Sequence, residues 1–284
     1  VVDAIKEANL NFVYYKNKNF LEPDWEDINK KYHENINIAG IMCVHYFGNP
    51  QNIKDFMNFS KKNNIYLIED NAHGYMGRYN NKQLIGSIGD IGISSPRKQL
   101  DLFSGGSLLV NSKYNFQSDF INYLEKYPIN LKYYNLRQIL KNIKIINRAY
   151  QYFKKDKIIY NNPDLFREPK INDYLIDEFS KKKINSKNFD DLINLRRANY
   201  FKIEKLIKNL NISPIIKNLS QYCNPWCYPI FTKNNKERIE LLEYGQKNNL
   251  KIFTWPTLPK ELIKDNSEYL KIWESILCIS TDDL

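Results

Sequence analysis

An apolar run, Ile65-Tyr66-Leu67-Ile68, stops at two carboxylates, Glu69 and Asp70, and gives way to a turn of small residues that carries His73 and Gly74. A run of that length bounded by turn signals reads as a buried strand, and open α/β sheets hold their ligands beyond the carboxyl ends of such strands. Asp70 and His73 thereby become candidate site residues. Lys98 follows 28 residues after Asp70, with Ser94 and Ser95 just before it and Gly105-Gly106 beyond.

That combination suits pyridoxal phosphate. A lysine forms a Schiff base with an aldehyde when desolvation or a cationic neighbour lowers its pKa, and Arg97 is such a neighbour in sequence. A buried carboxylate, here Asp70, keeps the cofactor's ring nitrogen protonated so that the ring can act as an electron sink. Hydroxyl and backbone N–H groups at Ser94 and Ser95 suit its phosphate. His73 is placed beside the ring or as a donor to its 3-hydroxyl.

The flanking sequence alternates between strand and helix patterns. A helix end (Asp3 to Ala8) precedes a strand (Phe12 to Tyr15); Pro23-Asp24 opens a helix through Lys31; a strand (Ile38 to His45) and a helix (Ile53 to Lys62) lead to the strand that ends at Asp70. Such βαβ alternation predicts a mostly parallel sheet covered by helices. His45 either faces the site or is a satisfied core histidine, and His33 is expected in solvent. The polar stretch from Met76 to Gly86 predicts a hairpin or loop, SLLVN a strand, and NFQSDFINYLEK a helix.

From Pro128 to Ser186 the chain turns basic and aromatic, with Leu136, Ile139, Leu140, Ile143, Ile146 and Tyr150 near helical periodicity. A helix packed on the large domain with its lysines in water is the favoured reading over one that binds an anionic surface. A long helix, Phe189 to Leu210, then leads to a β-α-β pattern in the last part of the chain, through NPWCYPIFT, RIELLEYGQKNN and KIFTWP.

Taken together, Asp70-Ala72-His73, the pair Gly89-Asp90, Ser95 with Lys98, and Gly105-Gly106 form a block that resembles the DegT/DnrJ/EryC1/StrS family of sugar aminotransferases. CVHYFGNPQNIKDF upstream resembles the family's strand and Gly-Pro turn. The resemblance implies a fold-type I, α/β architecture: a large cofactor-binding domain over residues 1–188, with an interdomain helix and a smaller α+β C-terminal domain over 189–284. It implies pyridoxal 5'-phosphate as cofactor, held by Asp70, His73, Ser94, Ser95 and Lys98, with Lys98 catalytic. It implies transfer of an amino group, from glutamate, to a keto group on a nucleotide-linked sugar in surface-glycan or related polysaccharide biosynthesis. A homodimer follows from the same likeness, as does a place near the partner's cofactor for Asn135 and Arg137, and one near the substrate entrance for Trp255 and Pro256.

The chain departs from the family in places. SSPRK is shorter than usual, with arginine directly before the lysine, which leaves open whether Ser94 or Ser95 is the family's serine; Ser104 stands where an acidic residue is often found. No helix and Gly-Thr loop of the family's kind precedes Val1, so the resemblance implies that one or both termini are missing or that the homologue is shortened. The alternative function is therefore a catalytically inactive fold-type I module that binds or regulates.

The net charge of +10 permits acidic partners, nucleotide sugars among them. No nucleic-acid recognition motif accompanies it, so nucleic acid is not the expected partner. Cys43, Cys223, Cys227 and Cys278 fall in no metal-ligand spacing and read as reduced, buried thiols of a cytoplasmic protein, with no metal expected. No apolar run approaches a membrane span in length, so no membrane partner is expected.

Overall fold

The computed structural model describes residues 2–35, 37–113, 125–126, 174–208, 212–248, 250–255, 257–264 and 268–282. These fall into two compact units. The first takes its described residues from Val1–Lys126, Ile171–Phe189 and Leu219–Pro225, and the second from Asp190–Asn218 and Trp226–Leu284.

The first unit opens with α1 (Val2–Glu7) and a small antiparallel pair, β1 (Asn17–Lys18) with β2 (Glu22–Pro23). Helix α2 (Trp25–Glu34) starts where the Asp24 carboxylate accepts the N–H groups of Glu26 and Asp27, two donors a helix start otherwise leaves without partners. Strand β3 (Gly40–Val44), helix α3 (Ile53–Asn63), strand β4 (Tyr66–Asn71), strand β5 (Ile91–Ser94) and strand β6 (Ser107–Val110) follow. Their sheet has the order β3-β4-β5-β6, parallel between β3, β4 and β5 and antiparallel between β5 and β6.

The parallel part is covered, as such sheets require. Ile28 of α2, Ile53, Phe56 and Phe59 of α3, Ile41 and Cys43 of β3 and Leu67 of β4 form one buried cluster. Trp25 seals it edge-on to Phe56, with ring centroids 4.9 Å apart. Helix α3 ends at Asn64, which takes the left-handed conformation (φ 52°) that asparagine tolerates best after glycine.

Two expected elements differ. Phe12–Tyr15 forms no strand; Tyr15 instead reaches the sheet through its side chain, its hydroxyl donating to the Met42 carbonyl at 2.9 Å. The helix expected through Lys126 gives way at its end to β7 (Glu125–Lys126), which pairs in parallel with β8 (Tyr174–Leu175), so its backbone groups are used across chain segments rather than along a helix. The start of that helix, and the amphipathic region with Asn135 and Arg137, lie outside the described residues. Helix α4 (Glu178–Asn185) closes this part, capped by Asp177, whose carboxylate accepts from the Ser180 N–H at 2.7 Å.

The second unit begins along α5 (Phe189–Ile207) and continues through β9 (Ser213–Pro214), β10 (Cys227–Phe231), α6 (Asn235–Lys247), β11 (Ile252–Thr254), α7 (Lys260–Lys264), α8 (Glu268–Ser275) and β12 (Ile276–Ser280). Its sheet, β11-β12-β10-β9, is antiparallel throughout, and every residue of β12 is buried. Surface ion pairs are the simplest expectation for the twin arginines of α5, but Arg196 is fully buried and paired with Asp282, while Arg197 lies over the Phe201 ring. Asn199 adds a bond to the Thr281 carbonyl at 3.0 Å, so α5 grips the chain just past β12. Trp255 packs against Trp226, with centroids 6.2 Å apart; Pro256 is outside the described residues.

Candidate functional site

The parallel register fixes the first feature of the site. Asp70 pairs with Ile93 and Asn71 with Ser94, so the carboxyl ends of β4 and β5 finish side by side. Asp70 is buried at that edge, and its Oδ1 accepts the Ala72 N–H at 2.9 Å, which turns the chain toward His73. The next strand end leads directly into a short 3₁₀ turn, Pro96–Lys98, with Ser95 at its N-cap position. Ser95 makes no side-chain cap bond there, so its hydroxyl is not consumed by the turn.

His73 and Lys98 lie within electrostatic reach of each other across these two loops. The imidazole is buried, and burial, reinforced by the positive charge of Lys98, holds its pKa well below the usual value. His73 is therefore neutral at physiological pH. Gln99, next to Lys98, donates through Nε2 to the His73 carbonyl at 2.5 Å and ties the two loops together. From the other side the Phe47 N–H donates to His73 Nδ1 at 3.2 Å, and the Phe47 ring lies nearly parallel to the imidazole at 25°.

The two carboxylates that end the apolar run have separate tasks. Glu69 is wholly enclosed, and its oxygens accept from the N–H groups of Gly86, Ile88 and Gly89 at 3.0, 2.6 and 2.5 Å and from the Tyr79 hydroxyl at 2.6 Å. His45 stands 3.1 Å from it through Nε2, while its Nδ1 accepts the Gln51 N–H. His45 is thus the satisfied core histidine of the two readings, and His33 is exposed as expected. Burial pushes the Glu69 carboxyl up, but the bonds from His45, Tyr79 and the Gly89 N–H outweigh it and hold the group below the usual carboxylate range.

The Gly-Asp pair is likewise structural. Gly89 donates to Glu69, and the Asp90 carboxylate accepts the Leu67 N–H at 2.7 Å, which docks the start of β5 onto β4. The double glycine serves a turn: Gly105 takes φ 124°, with Ile176 packed where a side chain would point. Ser104 before it exchanges bonds with Asp177, its Oγ donating to Oδ2 at 2.7 Å and accepting the Asp177 N–H at 2.9 Å.

Sequence reasoning singled out Asp70, His73, Ser94, Ser95 and Lys98 as candidates but not the groups that surround them. Gln99 and the Phe47 N–H carry no motif signal, although Gly48-Asn49-Pro50 marks a turn at that point. A third contribution comes from far along the chain. Leu219–Pro225 belongs to this unit: Tyr222 accepts the Arg78 N–H at 2.9 Å, Asn224 Nδ2 donates to the Tyr75 carbonyl at 2.7 Å, and the Ser220 N–H donates to Asn49 Oδ1 at 2.9 Å.

This donor set fits pyridoxal phosphate. A buried carboxylate, a neutral imidazole, a half-buried lysine and a hydroxyl left over at a turn lie on adjacent loops at one sheet edge. Comparison with known proteins points the same way. Residues 2–119 match the DegT/DnrJ/EryC1/StrS aminotransferase family, the one that the sequence motifs resemble. GDP-perosamine synthase of Escherichia coli O157:H7 is 33% identical over 75 residues, 26% of this chain and 20% of the relative. UDP-4-amino-4,6-dideoxy-N-acetyl-beta-L-altrosamine transaminase of Campylobacter jejuni is 36% identical over 78 residues, 27% and 20% of the two chains. The aligned part of the chain therefore spans about a fifth of these curated relatives.

Solved structures agree over nearly the whole chain. Helicobacter pylori PseC, an aminotransferase of pseudoaminic acid biosynthesis, covers 98% of this chain and is covered to 70%, with a TM-score of 0.62 and 14% identity. Escherichia coli GDP-4-keto-6-deoxy-D-mannose-3-dehydratase with bound hydrated PLP gives 97%, 71%, 0.61 and 16%. 3-Amino-5-hydroxybenzoic acid synthase gives 99%, 71%, 0.63 and 13%. At such identities the likeness speaks for the fold, which is the fold-type I, α/β architecture expected from the sequence.

Proposed function

We propose, from the match of residues 2–119 to the DegT/DnrJ/EryC1/StrS aminotransferases, that this chain is a pyridoxal phosphate-dependent aminotransferase. One observation carries the reading: His73 lies within electrostatic reach of Lys98, beside the strand end that bears Asp70. Asp70 would hold the ring nitrogen, Ser94 and Ser95 the phosphate, and Lys98 the aldehyde carbon. When bound, the cofactor supplies an electron sink for cleavage of a bond at the donor's α-carbon. Lys98 Nζ would take the proton from that carbon and deliver it to the cofactor carbon rather than back to the donor. Neutral His73 orients the ring and donates a hydrogen bond. Glu69, backed by His45 and Tyr79, holds the loop through the N–H groups of Gly86, Ile88 and Gly89.

The amino donor is glutamate and the acceptor a keto group on a nucleotide-linked sugar. Both curated relatives bear names of nucleotide-linked amino sugars, which supports the acceptor class. The four cysteines are free and buried, which supports action in the cytoplasm. The active assembly is a homodimer.

The test is an absorption spectrum of the purified chain with added pyridoxal phosphate, beside Lys98→Ala. A band near the visible edge that is absent in the variant and bleaches with glutamate is expected. A folded chain, by circular dichroism, with no such band overturns the reading, and a monomer in sedimentation at micromolar concentration overturns the dimer.

A further inference from the structure

We propose that the Phe47–Gly48 turn is a positioning device that fixes His73 as the tautomer protonated on Nε2. The catalytic consequence rests on the function proposed above, whereas the tautomer itself does not. A ring nitrogen that accepts a hydrogen bond from a backbone amide carries no proton, so the Phe47 N–H at 3.2 Å leaves Nδ1 bare and places the imidazole hydrogen on Nε2.

The amide is aimed there by uncommon backbone. Phe47 has φ 59° and ψ 12°, and Gly48 follows at φ 85°. A bulky residue in the left-handed region is strained and persists only where its surroundings impose it. Those surroundings are visible. A Cβ on Gly48 would lie 2.2 Å from the Asn224 carbonyl oxygen and 2.9 Å from that of His73, so two backbone segments close on a position only glycine fits. Asn49, the next residue, accepts the Ser220 N–H, and the Phe47 ring is buried against the imidazole.

Gln99 holds the His73 backbone while Phe47 holds the ring, so neither the ring's direction nor its tautomer is left to rotate. His45 shows the same device in a second place: Gln51 N–H occupies Nδ1 and leaves Nε2 toward Glu69. For the proposed transfer the consequence is a division of roles. His73 can donate from Nε2, but it cannot take up a proton at Nδ1 without breaking the bond to Phe47. Proton movement then belongs to Lys98 and orientation to His73.

The experiment is long-range proton–nitrogen correlation on the full chain with ¹⁵N-labelled histidine, without cofactor, near neutral pH. A protonated Nε2 and bare Nδ1 on His73, identified by loss of the signals in His73→Gln, are expected. Proton on Nδ1, or a rapid mixture of tautomers, overturns the proposal in the wild-type chain alone. Gly48→Ala should mix the tautomers and lower kcat roughly 10- to 100-fold with little change in KM. A folded Gly48→Ala chain with an unchanged tautomer also overturns it. A fixed tautomer in a chain that shows no cofactor band keeps this inference and removes the aminotransferase reading.

Discussion

The Glu69 carboxylate and the Tyr79 hydroxyl meet at 2.6 Å in the buried interior, where backbone N–H groups and His45 complete the shell. The carboxylate is acceptor-only in a place that presents only donors. Glu69→Gln sets an NH₂ group against one or more of those donors. We expect a loss of about 3–5 kcal/mol, the scale for breaking a buried charged cluster from one side. Urea unfolding at unchanged slope measures it, and a loss under about 1 kcal/mol would mean that the loop amides find other acceptors.

The same group sets an acid limb. Its folded pKa lies below the ordinary 4.5, so the unfolded chain takes up the proton first. Its contribution is complete above about 4.5 and is lost as pH falls through the folded value. The wild type should therefore lose more stability on acidification than Glu69→Gln does. Parallel curves for the two would show that Glu69 is not the source.

Gly92 in β5 is a steric necessity. A Cβ there would lie 1.8 Å from the Gly86 carbonyl oxygen and 2.7 Å from its carbon, backbone that cannot swing aside. Gly92→Ala should cost about 3 kcal/mol or more, the upper range of overpacking. Gly106→Ala, whose Cβ meets only the Ser94 carbonyl at 3.8 Å, should change stability by less than about 0.5 kcal/mol. Equal effects in paired thermal melts would contradict this contrast.

Ser104 and Asp177 exchange two bonds, and the carboxylate also caps α4. Ser104→Ala leaves both partners short and should cost about 1–3 kcal/mol. Ser104→Asp, although an acidic residue often stands there in the family, should cost more, because it sets two carboxylates together. An aspartate variant as stable as wild type would show that the pair relaxes apart.

What was legible in the sequence follows from local patterning. The helix opened by Pro23-Asp24, the helix from Ile53 and the strand ending at Asp70 are set by neighbouring residues, and each formed where expected. Asp70, His73 and Lys98 could be picked out as candidates because they punctuate strand ends. Phe12–Tyr15 misled because alternation alone does not decide whether a segment pairs through backbone or through one tyrosine hydroxyl. Glu69 and Asp70 look equivalent in sequence, yet successive residues of a strand face opposite sides, so one gathers loop amides and the other accepts the Ala72 N–H at the turn toward His73. The Phe47 amide is invisible to side-chain patterns, since a backbone N–H belongs to every residue but proline.

Ser220 reaches Asn49 across 171 residues of chain and Asn224 reaches Tyr75 across 149. During synthesis the turns at Gly48 and Tyr75 leave the ribosome long before the segment that closes over them. Most of the first sheet can assemble from the early part of the chain, but the edge that bears the candidate site cannot reach final form until Leu219–Pro225 has been made. The last contacts of that edge thus carry the loop-closure entropy of a very long span, and they form late.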